Sequence, residues 1–317
     1  MTLRHLLSGM LITALMALAA SCDLEDVCDG GDCDTGSRTL VFRYIYDNAD
    51  QFDNYISTMR YFLFDGSGSY LGEMECYDGD LSRVDVSDLS AGDYSIVGLG
   101  NLVDYATIDG YTDGGLDNFR LTVSQLYDDT LSATAFANGD RLYWGQLDFE
   151  VVSGQSASYT VDMSNIHCLL TIRVEWEGLP EYSSGYVFKL SEIGNQVMMN
   201  SGGDAYSIGV HTFPEVTAHT AEMREDVNLR RFMLQTTLVT LRYGNEYVPV
   251  FTLLNGQEVI FSYDLQTAFD TWGWHPDNAQ VQEYEIVFTI SKSGTTVVVT
   301  VGLDSYVNDW EDGGTLG

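Results

Sequence analysis

Five thiols, five imidazoles and 47 carboxylates are the groups with which this 317-residue chain could do chemistry. Cys22, Cys28, Cys33, Cys76 and Cys168 show no second short-spaced pair and no accompanying His motif, the pattern a structural zinc site needs. Cys28 and Cys33 flank "DGGD" and could close a small disulfide loop; with Cys22 set aside, four cysteines allow three pairings. Nucleophilic catalysis needs Ser or Cys beside His and an orienting acid. His5, His167, His211, His219 and His275 sit in neither a GxSxG nor a papain-like context. His167 adjoins Cys168, but successive strand residues face opposite sides, so adjacency argues against a pair. Paired carboxylates would suit glycoside hydrolysis. With so many acids no pair stands out, and charged side chains of β-proteins mostly occupy solvated faces and turns. Asp47, Asn48, Asp50 and Asp53 lack the spacing of a calcium loop and read as a solvated turn. Trp272 and Trp274, beside His275 in "TWGWHPD", could stack on sugars; the competing reading is that they plug the end of a sandwich. No catalytic constellation emerges, so the expectation is a protein that is not an enzyme and needs neither metal nor cofactor.

The one thiol with a reactive context is Cys22. It follows Ala19, Ala20 and Ser21, and acid begins beside it in "CDLEDVC". Upstream, Arg4 and His5 precede an apolar block from Leu11 to Ala20, too short to span a bilayer comfortably. A basic start, an apolar core and small residues before a cut site describe a secretory signal peptide. "Ala19-Ala20-Ser21-Cys22" resembles a bacterial lipobox, with Ala19 where Leu is usual and Leu18 one place earlier. The expectation is that residues 1–21 are removed and that Cys22 carries acyl chains such as palmitate. The chain would then be held on a membrane without spanning it.

Composition narrows the partners. A net charge of -33, from 14 basic and 47 acidic side chains, repels phosphate backbones and excludes nucleic acid as a partner. The same surface repels anionic headgroups, so membrane contact must come from the lipid. At 45% hydrophobic and 12% aromatic, the chain has ample material for a core. Four prolines against 31 glycines and 20 tyrosines suit a β-rich exported protein with glycine turns.

The elements that must position these groups read as short strands. Residues 22–38 are acidic and aperiodic, a tether. In "TLVFRYIYDN", Leu40, Phe42, Tyr44 and Tyr46 alternate with Val41, Arg43 and Ile45. Two aromatic runs flank "DGSG", a hairpin signal. A short helical piece is expected near "SATAFANG", residues 132–139. Strands are expected in "RLYWGQLDFEVV" and "SASYTVDMSN", then from Cys168 to Trp176, where alternation is clearest. Further strands are expected at 186–190, 205–210, 229–241, 247–253 and 258–263, then a loop "DTWGWHPDN" and a hairpin turning at "KSG". Strands at this spacing predict an all-β chain of two tandem β-sandwich domains, 39–165 and 166–317.

Several segments, taken in order, resemble the FimB-like anchor lipoproteins of Bacteroidales fimbriae, also known as fimbrillin-associated anchor proteins. These are "CDLEDVC", "LVFRYIYDNADQF", "RYFLFDGSGSYLG", "DLSAGDYSIVGLGN", "LYWGQLDFEV", "YTVDMSNIHCLLTIRVEWEGL" and the ending "YVNDWEDGGTLG". Leu99 stands where that family often has Trp. The resemblance implies two transthyretin-like sandwiches and a place at the fimbrium base on the outer membrane, where the chain would anchor the polymer and limit its length. It implies a major fimbrial subunit as partner, joined by β-strand complementation. Val297, Val298, Val299 and Val301 of the last strand are candidate donor residues, or the edge of their own domain. Family stalk subunits lose an N-terminal strand at a basic site, and Arg38 precedes the first strand here; an anchor should keep it. Asp23, Glu25 and Asp26 beside the lipid cysteine resemble a surface-export signal. The rival function is a surface lipoprotein that binds glycan or host through Trp272 and Trp274.

Overall fold

The computed structural model describes residues 36–128, 133–136, 139–176, 186–200, 210–212, 216–218, 222–226, 231–243, 249–256, 258–272, 283–291 and 294–300. Strands dominate it. The first half runs β1 Arg38–Arg43, β2 Ile45–Tyr46, β3 Ala49–Asp50, β4 Met59–Asp65, β5 Tyr70–Met74, β6 Arg83–Asp85 and β7 Gly92–Gly100. It continues through β8 Ala106–Asp109, β9 Arg120–Val123, β10 Gln125–Asp128, β11 Ala133–Phe136, β12 Tyr143–Val151, β13 Ala157–Asp162 and β14 Ser164–Asn165. The second half holds β15 His167–Trp176, β16 Tyr186–Ser191, β17 Gly194–Met198, β18 Val210–Thr212, β19 Val216–Ala218 and β20 Glu222–Asp226. Then come β21 Arg231–Leu241, β22 Val250–Asn255, β23 Glu258–Asp264, β24 Glu283–Ser291 and β25 Gly294–Thr300.

The first sandwich packs the sheet β13-β1-β6 against the sheet β14-β12-β7-β4-β5. Leu40, Phe42, Val84 and Val161 from the small sheet meet Tyr61, Leu63, Ile96 and Phe149 from the large one. The large sheet is apolar on its other face too. In β4, Tyr61 and Leu63 enter this core while Phe62 and Phe64 enter a second one, which explains the unbroken apolar run "YFLF". The second sandwich sets β20-β21-β15-β24-β25 over β19-β16-β22-β23, with Ile172, Val174, Phe188, Phe251 and Phe288 between them. A further four-stranded sheet, β18-β17-β9-β8, takes two strands from before residue 165 and two from after it. The Trp144 indole donates to the Met199 carbonyl (3.1 Å), so the halves are joined by ladder and core as well as by chain.

Two local expectations are corrected. The helical piece expected near "SATAFANG" is β11, paired antiparallel with β10 from Gln125↔Phe136 to Asp128↔Ala133. Ladder pairing overrides the helical preference of two alanines, since propensity differences of a few tenths of a kcal/mol yield to tertiary context. The loop expected at "DTWGWHPDN" begins inside an α-helix, Leu265–Trp272. Asp264 Oδ1 accepts the Gln266 N–H (2.9 Å) at its start, and Gln266 reaches Asp270 one turn on (2.6 Å).

Candidate functional site

The two strands singled out from the sequence, β1 and β25, are the first and the last of the described strands. At the first end, β1 is the middle strand of its sheet. It runs parallel to β13 from Arg38↔Ala157 to Arg43↔Asp162 and antiparallel to β6 from Thr39↔Asp85 to Val41↔Arg83. Alternation points Arg38, Leu40 and Phe42 inward, all at most 1% exposed. Phe42 lies over Gly98 of β7, where an added Cβ would come within 2.5 Å of its ring, and tilts against Tyr61 at 5.0 Å. A side chain at position 98 would therefore collide with the first strand. Burial pushes the Tyr61 phenol up, and its hydroxyl donates to the Leu81 carbonyl.

Sequence reasoning put Arg38 just before the first strand; it is the first residue of that strand, faces inward and is wholly buried. Its backbone N–H donates to Ser87 Oγ (2.9 Å), and its guanidinium donates to the carbonyls of Ser87 (3.2 Å) and Val152 (2.8 Å). Its own carbonyl accepts the Val86 N–H (3.0 Å). Ser87 is set by Asp85, whose Oδ1 accepts the Ser87 N–H (2.9 Å). The Ser87 hydroxyl and then its N–H hold that carboxyl below its usual range. The signal was present in the sequence as parity, because Arg38 shares the two-residue phase of Leu40 and Phe42. Its partners, 49 and 114 residues away, were not visible there.

At the other end, β25 is an edge strand. It pairs antiparallel with β24, placing Val297 opposite Phe288, Val298 opposite Val287 and Val299 opposite Ile286. Among the described residues, no strand pairs with its other side. Val301 lies outside the described residues, as do Cys22, Cys28, Cys33 and Trp274. Trp272 is the last residue of the helix Leu265–Trp272.

At the junction, the Arg242 guanidinium donates to Asn165 Oδ1 (2.8 Å), and Asn165 Nδ2 donates to the His167 carbonyl (3.1 Å). His167 Nδ1 donates to the Leu142 carbonyl (2.9 Å), so its ring serves structure and does not activate the neighbouring thiol. Burial pushes the Cys168 thiol up, the reverse of what a nucleophilic thiolate requires. Asp50 Oδ1 accepts the N–H groups of Tyr44 and Phe52 (3.1 Å each), closing the tight β2–β3 hairpin, whose Asp47 and Asn48 are left-handed. Among the described residues no three His, Cys, Asp or Glu side chains gather to hold a metal, and no helix is long and apolar enough to cross a membrane.

No curated protein sequence matches this chain. Solved structures do. A candidate adhesin from Bacteroides thetaiotaomicron superposes with a TM-score of 0.66 at 17% identity, covering 86% of this chain and 98% of its own. Candidate polysaccharide-binding proteins from the same organism give 0.64 at 15% identity, covering 84% and 96%. The fimbrial anchor protein Mfa2 from Porphyromonas gingivalis gives 0.62 at 12% identity, covering 84% and 98%. At such identities these likenesses establish a shared fold. The sequence itself goes further: residues 25–312 match the model of the fimbrillin-A associated anchor proteins Mfa1 and Mfa2, and the chain belongs to that family.

Proposed function

We propose that this chain is the lipid-anchored base of a fimbrium. It is an outer-membrane lipoprotein, acylated at Cys22 and facing the cell surface, that ties the polymer to the cell and limits its length. Its units are a tether, 22–38, with a Cys28–Cys33 bridge, and two sandwiches, 39–165 and 166–317. Its partner is the major fimbrial subunit, joined by β-strand complementation.

The observation that carries the reading, beyond family membership, is the seating of β1. A strand held on both sides, with Arg38 sealed beneath it, leaves no vacancy for a neighbour's strand at that place. Growth would stop there. The side of β25 that no described strand covers then offers main-chain donors and acceptors to the first stalk subunit. The test is Cys22→Ala in the native bacterium, with electron microscopy of cells and culture supernatant. Fimbriae shed into the medium support the anchor; normal fimbriae on cells whose mutant protein has left the membrane would sink it. The rival glycan-binding reading takes its support from the polysaccharide-binding description of one structural relative. Specific sugar binding abolished by Trp272→Ala would turn the assignment to it.

A further inference from the structure

An anchor is under tension, because flow on the polymer pulls one end of the chain while lipid holds the other. That tension is supplied by the anchor reading; the way the fold meets it follows from strand direction. Force from the tether enters β1 at Arg38, its first residue. Force carried along the chain from the second half enters β13 at Asp162, its last residue, since Met163 to Ile166 lead directly into β15; the β9–β17 ladder and the Trp144–Met199 bond share the load. Parallel pairing places those two points at opposite ends of one ladder of six residue pairs. The strands are then pulled lengthwise past each other.

We infer that the β1–β13 pair is a shear clamp. Pulled this way, every rung is strained together, and none opens until all do. Pulled from the same end, the identical rungs would open one at a time, each under the full force. Features at both ends of the ladder strengthen it. The Ala157 N–H donates to the Ser37 carbonyl (3.0 Å), and the Arg38 guanidinium donates to the Val152 carbonyl (2.8 Å). The Met163 N–H donates to the Arg43 carbonyl (2.8 Å), and Arg43 forms an ion pair with Asp162. Leu40, Phe42 and Val161, at most 1% exposed, must leave the core for the strands to slide. The second half repeats the arrangement. Its first strand, β15, is parallel to β24 over eight pairs, and Arg173 bridges to Glu285 (2.6 Å).

The test is single-molecule force spectroscopy on the full chain, with coupling handles on exposed or half-exposed residues. Handles at Ser37 and Ser164 pull in shear; handles at Ser37 and Gln155 pull the same two strands from one end. The expected result is a rupture force at least about twofold higher in the first geometry, because forced unfolding follows the unfolding rate along the pulled coordinate. Equal forces overturn the clamp. Both geometries use the same native ladder, so misfolding of a variant is not an escape. Neither depends on the fimbrial retention assay, whose failure would remove the source of tension and leave the mechanical asymmetry standing.

Discussion

The first strand of the folded body and the last are built from similar residues and treated oppositely. β1, "RTLVFR", is enclosed on two sides and buries alternate side chains, including an arginine. β25, "GTTVVVT", has one neighbour and lies at a sheet edge. Both carry β-branched residues, Thr39 and Val41 in β1 and a run of Thr and Val in β25, though only β1 adds arginines, Leu40 and Phe42. The difference lies in when partners arrive along the chain. β6 and β13 come 40 and more residues after β1 and flank it, whereas among the described residues β25 pairs only with β24, which directly precedes it. In the proposed strand-complementation scheme, a closed β1 and an available β25 edge would suit a base subunit.

The contrast can be broken most severely at Phe42. Phe42→Ala should cost about 3–5 kcal/mol, the usual cost of emptying an aromatic site in a core, and denaturant unfolding would read it. A midpoint unchanged from the parent would show that β1 is not integral to the first sandwich. At β25, paired substitutions Val298→Pro and Val299→Pro exploit the alternation of N–H directions along a strand. One removes a rung to β24 and should cost up to about 3 kcal/mol; the other removes an outward donor and should spare stability while weakening stalk-subunit capture. Two equally destabilised variants would mean that β25 has no open side.

Gly98→Ala sharpens the comparison from beneath. The new methyl would meet the Phe42 ring at 2.5 Å, so about 1–3 kcal/mol should be lost by overpacking, and Phe42→Leu should restore part of it. Arg38→Met keeps the stem and removes the donors to Ser87 and Val152. A loss of about 1–3 kcal/mol is expected, together with no new exposure of the strand to proteases. An arginine-specific protease should leave the native Arg38–Thr39 bond intact and cut it after unfolding; cleavage of the native chain would show that β1 is exchangeable. The smallest effect is electrostatic. The Asp85 carboxyl is held below its ordinary value of 3.8 in the folded chain, so its contribution is present above that pH and fades as pH falls through the lower folded value. The stability gap between parent and Asp85→Asn should therefore narrow on acidification; a gap that widened would reverse the sign.

Much of the architecture was legible because strands announce themselves by a two-residue period. Alternation marked β1 and β15, and hairpin glycines marked β4–β5. The misread segments were those where local preference and final context disagree. Alanines near 133–136 favour helix yet pair as a strand, and the run before Trp272 is helical because Asp264 caps it. The continuous run "YFLF" was visible, but its meaning, a sheet covered on both faces, was not.

By itself the sequence determined a succession of amphipathic strands, and it supplied the expectations of a leader, a lipid-accepting thiol and an acidic tether. Those are local properties, fixed by side-chain type and spacing. Which strand lies beside which, and in which direction, was decided by the tertiary structure alone. Parallel pairing of β1 with β13 and the burial of Arg38 against Ser87 and Val152 both join residues far apart in the chain. A period of two tells a strand which face to bury but carries no record of its neighbours; that choice is made when the cores close.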